Sequence, residues 1–69
     1  MPNYIVVDPD GYVNLREEKN TTSKILEKVK TGEKVYGIEN VGDWYRVRTV
    51  KENIGYIHKN KLKIDESKN

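Results

Sequence analysis

His58 is the only histidine in a chain without cysteine, and its two serines are Ser23 and Ser67. A general base needs a positioned partner within hydrogen-bond reach, and a nucleophilic hydroxyl needs such a base beside it. Ser23 lies in a polar stretch and Ser67 close to the last residue, so neither makes a credible pair with His58. The imidazole reads as a half-exposed strand residue. Acidic side chains are scattered without the spacing of a metal-binding loop. With no thiolate, a disulfide framework and a thiolate metal site are both excluded. The chain is read as having no catalytic residue, no metal and no cofactor.

Residues suited to contact are better represented. Trp44 alternates along its segment with Arg46 and Arg48, while Tyr45, Val47 and Thr49 take the other side. Val47 should face the core, which turns Trp44 outward. A rigid indole with one hydrogen-bond donor suits sugar faces, peptides and interface anchors. It would equally well cover an open end of the fold, half-buried. Tyr12 and Tyr56 are opposite Val13 and Ile57 by the same parity, and they are candidates for a shared face or for cross-strand pairing. Asn60 could add a polar group that orients a ligand. Tyr36 and Tyr45 are assigned to packing, and Asn14 to tying down adjacent backbone.

Arg46 and Arg48 on one strand face, with Lys59, Lys61 and Lys63 alternating later, invite a test for nucleic acid. Single-strand binders combine a basic groove with rings on which bases stack. Glu17, Glu18, Glu27, Glu33 and Glu39 dilute any such field, and 13 basic against 11 acidic residues leave only +2. A solvated surface of mixed charge is the better reading.

The elements that must position these residues are short. The chain has 69 residues, enough for one small domain. Alanine, phenylalanine and glutamine are absent, and the apolar content is mostly valine, isoleucine and tyrosine. Such side chains fit a pleated, half-buried sheet and lose rotamer freedom in a helix. Strands are predicted at Tyr4 to Val7, Tyr12 to Arg16, Ile25 to Lys30, Lys34 to Val41, Trp44 to Val50 and Ile54 to His58. Turns fall at Asp8-Pro9-Asp10-Gly11, Thr31-Gly32, Gly42-Asp43 and Lys51-Glu52-Asn53. Residues 17–24 form a polar loop. A single helical turn at Asn60-Lys61-Leu62 precedes Lys63-Ile64, and residues 65–69 read as a polar, frayed tail. The longest apolar run is Tyr4-Ile5-Val6-Val7, far short of the ~18 residues that span a bilayer. Met1-Pro2-Asn3 leads into it without the basic stretch and apolar core of a signal peptide.

Tyr12-Val13-Asn14-Leu15-Arg16, Ser23-Lys24-Ile25-Leu26, Lys30-Thr31-Gly32-Glu33-Lys34-Val35, Gly42-Asp43-Trp44-Tyr45-Arg46-Val47 and Gly55-Tyr56-Ile57-His58 follow one another in order. This succession, covering about residues 4–64, resembles the bacterial SH3 domain family. The resemblance implies an all-β fold, a small SH3-like, partly open β-barrel of five to seven short strands. It further implies an extracytoplasmic module that binds a peptidoglycan stem or cross-bridge peptide, or a protein partner. Trp44, Tyr12, Tyr56 and Asn60 are then the expected contact residues. The alternatives are a protein-interaction or inhibitor domain with no cell-wall ligand and, less favoured, a nucleic-acid-binding barrel. Gly37 departs from the family, which more often has an apolar β-branched residue there. A glycine inside a strand commonly marks a bulge or a close approach. The resemblance to the proline-binding branch is partial: His58 stands where that branch has proline, and several aromatic ridges are missing, so proline-rich ligands are not expected.

Overall fold

Alternation along Tyr12–Arg16 becomes a strand with Val13 and Leu15 buried and Tyr12 exposed. The computed structural model describes residues 4–66. The segment Met1-Pro2-Asn3 and most of the expected tail, Ser67 included, lie outside the described residues. Seven strands are present: β1 Tyr4–Val6, β2 Tyr12–Arg16, β3 Ile25–Lys30, β4 Lys34–Val41, β5 Trp44–Thr49, β6 Ile54–His58 and β7 Leu62–Ile64. Lys59–Lys61 forms a 3-10 turn between the last two, one residue earlier than the helical turn expected from the sequence. β1 and β5 each stop one residue short of the expected ends.

All strand pairs are antiparallel, in the order β3-β2-β6-β5-β4-β1-β7. Inward-facing residues from β1 to β6 meet in one cluster: Val6, Val13, Leu15, Val29, Val35, Val47 and Ile57. One sheet can gather residues from six strands only by curling over itself, which is the expected small SH3-like architecture. Burying one such side chain contributes roughly 1.5–3 kcal/mol, so a core this small leaves none to spare.

Turn chemistry fixes the curl. Asp8 accepts from the Asp10 amide at its Oδ1 (2.7 Å) and from the Gly11 amide at its carbonyl (2.9 Å). Gly11 takes φ +94°, a backbone region open to glycine at little cost. Thr31 ties this turn to the β3–β4 turn, its Oγ1 accepting from the Asp8 amide and donating to the Asp8 carbonyl. In β4 the register shifts between Gly37 and Glu39, leaving Ile38 as the extra residue of a bulge. Tyr45 packs on the core and lies 5.2 Å from the Tyr4 ring. Tyr36 packs differently, on the outer face with the Arg48 guanidinium 5.1 Å from its ring centre.

At the other end of the barrel, Glu27 Oε1 accepts from Thr49 Oγ1 (2.6 Å) and Asn53 Nδ2 (2.9 Å). These bonds join β3 to the β5–β6 turn, where Glu52 has a positive φ of 73°. Asp65, just past β7, keeps its side chain buried and pairs with Lys34 at 3.4 Å.

Candidate functional site

The site begins where two strands part. β2 and β6 are paired in register only at Arg16 and Tyr56. Beyond that point, toward Asn14 and His58, the strands separate and a cleft of about 210 Å³ opens between them. Tyr12, Asn14 and Arg16 form the β2 wall, and Trp44 and His58 the facing wall. Val13 and Ile57 form an apolar floor continuous with the core. Asp8, Asp10 and Lys61 close one end, and Thr21 reaches in from the β2–β3 loop. Ligand pockets that enclose a drug-sized molecule run to about 300–1,000 Å³. This one suits a short segment with one or two side chains.

Trp44 and His58 are register partners on β5 and β6, and their rings meet edge to face at 5.1 Å. His58 Nδ1 accepts from the Asn60 amide at 3.1 Å, which leaves Nε2 as the protonated nitrogen of the neutral ring. The indole is half-buried, so one flank packs and the other faces the cleft. Tyr12 is 41% exposed, with Lys28 Nζ 5.1 Å from its ring centre.

Of the four residues expected from the sequence, the structure brings Trp44 and Tyr12 together across the cleft. Tyr56 and Asn60 are not in its lining. Tyr56 sits on the outer face between Arg16 and Arg46, with Lys19 Nζ 6.0 Å from its ring centre. Asn60 lies exposed in the 3-10 turn and contributes through its backbone amide to His58. Asp8, Asp10, Arg16, Thr21 and Lys61 are cleft residues that sequence reasoning did not place in a binding site. The run Asp8-Pro9-Asp10-Gly11 was legible as a turn, but nothing local told that it closes a cleft.

Asp8 and Lys61 form the tightest ion pair in this region, 2.5 Å apart, with the Asp8 side chain only 6% exposed. The Lys61 hydrogen bond first, and the Asp10 amide second, hold the Asp8 carboxyl below its ordinary range. The same hydrogen bond to Asp8 raises the Lys61 ammonium. A lowered carboxylate stabilises the fold fully above its unfolded value of about 3.9 and loses that as pH falls through the depressed one. A raised ammonium stabilises fully below about 10.4 and loses that as pH rises through the raised value. Asp8→Asn should therefore lower the melting temperature at neutral pH and flatten the acid limb of its pH profile. Circular-dichroism melts at pH 7 and pH 3 check this; an acid limb as steep in the variant as in the wild type would refute it.

A more open depression of about 330 Å³ lies beside the bulge, lined by Tyr4, Gly37, Ile38, Glu39 and Asn40. It holds one ring, one carboxylate and no basic group, so it converges fewer recognition groups than the smaller cleft. The outer-face row Arg16, Tyr56 and Arg46 is the arrangement that a nucleic acid would use. However, Lys19 already lies over the Tyr56 ring, and Glu39 is the register partner of Arg46. The row lacks the open ring and uniform charge that such binding needs.

No helix among the described residues is long and apolar enough to cross a membrane. Among these residues there is also no cluster of three or more metal-ligating side chains. Compared with known families, residues 11–63 match the family model described as bacterial SH3 domain. No curated protein matches the chain.

Proposed function

The chain belongs to the bacterial SH3 domain family, and from that premise we propose that it is a non-catalytic targeting module that holds a short peptide in the β2–β6 cleft. The observation that carries this reading is the cleft itself, an apolar floor of Val13 and Ile57 walled by Trp44 and Tyr12 and edged with polar groups. The indole and phenol supply contact area, and Asn14, Asp10 and Arg16 supply orientation. The peptide belongs to peptidoglycan, as a stem or cross-bridge segment, or to a protein partner, and the module works outside the cytoplasm. Binding rather than reaction also agrees with His58, whose Nδ1 is engaged by the Asn60 amide.

So small a cleft should bind weakly by itself, with a Kd on the order of 1 mM, about −4 kcal/mol. Firm attachment would come from several weak contacts acting together. Trp44 is the only tryptophan, so its fluorescence reports the cleft directly. Titration with soluble peptidoglycan fragments should give a saturable change, accompanied by retention on purified sacculi. A flat trace with no retention would remove the cell-wall ligand and leave a protein partner, to be sought by pull-down.

A further inference from the structure

The cleft carries formal charges of both signs, Asp8 and Asp10 against Arg16 and Lys61. Two of these are consumed internally. Asp8 and Lys61 pair with each other at 2.5 Å, and the Asp8 side chain is buried beneath the turn. A ligand meets the other two, with the exposed side of the paired Lys61 beside Asp10. Asp10 is exposed, and among the described residues its carboxylate has no cationic partner within ion-pair distance. Arg16 gives Nη1 to the Ser23 carbonyl at 2.8 Å, and among the described residues no carboxylate pairs with it. Its other guanidinium donors have no hydrogen-bond partner among the described residues, and the side chain lines the cleft.

These two charges stand at opposite ends of the β2 wall. Asp10 lies just before the strand and Arg16 at its last residue. The strand itself, four steps from Tyr12 to Arg16, spans about 13 Å at roughly 3.3 Å each, and Asp10 sits two residues before it in the turn. An extended peptide covers the same span with about four residues at ~3.3–3.6 Å each. Between the two ends, Asn14 keeps a buried Oδ1 without a hydrogen-bond partner. A buried acceptor left unsatisfied is costly, and turning the Asn14 side chain toward the cleft it lines would let an amide N–H of a bound peptide satisfy it. Trp44 and Ile57 face this middle stretch and would take an apolar side chain.

We infer that the cleft selects a short dipolar peptide, its free amine held by Asp10 and its free carboxylate by Arg16. This rests on the reading of the cleft as a peptide site and adds to it a requirement for both charged ends. An uncross-linked stem peptide offers a free carboxylate and a free side-chain amine, whereas a cross-bridge segment joined at both ends, or an internal segment of a folded protein, offers neither.

The test uses the intact chain, ¹⁵N-labelled, and the tetrapeptide Ala-Leu-Ala-Ala in four forms: free, N-acetylated, C-amidated and blocked at both ends. Chemical-shift titrations should give saturable binding of the free form, following the Trp44 indole and Asn14 amide signals. Each single block should weaken binding about three- to fivefold, the scale of one solvent-exposed charge pair. In Asp10→Asn, acetylation should cease to matter while amidation still does. In Arg16→Gln the dependence should reverse. Arg16→Lys, which keeps the charge, should keep the sensitivity to amidation and so separates charge from packing.

Equal or tighter binding of the doubly blocked peptide would overturn the dipolar inference and leave the peptide site standing. Failure of every form to bind would overturn both.

Discussion

Trp44→Ala is expected to weaken binding of soluble peptidoglycan fragments at least about 30-fold, roughly 2 kcal/mol, the loss seen when a central aromatic anchor is removed. With a parent affinity near millimolar, the variant should give no saturation in a calorimetric or NMR titration. The indole forms one wall of the cleft, and the floor beneath it is only Val13 and Ile57. Nothing else among the lining residues offers comparable rigid area. The fold should survive. Trp44 is outside the buried cluster, and its ring contact is the edge-to-face one with His58, worth about 0.5–1.5 kcal/mol. A melting point lowered by several degrees with the β-sheet spectrum intact would show that binding, and not folding, was lost. Trp44→Phe should keep part of the affinity, because a smaller ring still closes the wall. If Trp44→Ala is folded and binds as the wild type does, the cleft is not the site.

The outward placement of Trp44 was legible because it is a local property. A strand reverses sides at every residue, so Val47 facing inward sends Arg46 and Trp44 outward without any knowledge of the neighbours. The same arithmetic placed Tyr12 opposite Val13 and Tyr56 opposite Ile57. Which outward residues share a site is another matter, because it depends on where β2 and β6 stop pairing. Tyr56 stands at the last paired row beside Arg16, while His58, two residues on, lies where the strands have parted. Parity puts Tyr56 and His58 on one face and cannot separate them. Lys61 was equally hidden. In the sequence it is one of three alternating lysines and reads as solvated surface. In the structure the 3-10 turn brings it to Asp8, a residue 53 positions earlier. The bulge at Gly37 was foreshadowed by a glycine within a strand, whereas the stacking of Arg48 on Tyr36 needed the β4–β5 register.

Gly55→Ala is expected to destabilise this domain severely. A Cβ at Gly55 would lie 2.6 Å from the Arg16 carbonyl oxygen, 2.9 Å from Leu15 Cγ and 3.2 Å from Leu26 Cδ1. Its backbone is not in the left-handed region, so the demand is for space and not for an unusual φ. The nearest atom is backbone, and it belongs to the residue that makes the sole β2–β6 register pair. Leu15 is fully buried and cannot swing away. Overpacking of this kind costs about 3 kcal/mol or more. A disulfide-free domain of this size has roughly 3–5 kcal/mol in total. The variant should therefore be largely unfolded at 37 °C, with a urea midpoint far below that of the wild type. Ile54→Ala, at the exposed neighbouring position, should cost less than about 1 kcal/mol. Trimming Leu15 to alanine in the Gly55→Ala background should not rescue folding, because the Arg16 carbonyl remains and a cavity is added. Rescue would place the obstruction in the side chain. The closed end of the cleft follows from the close approach at Gly55: the strands meet there because the residue has no side chain, and they part beyond it.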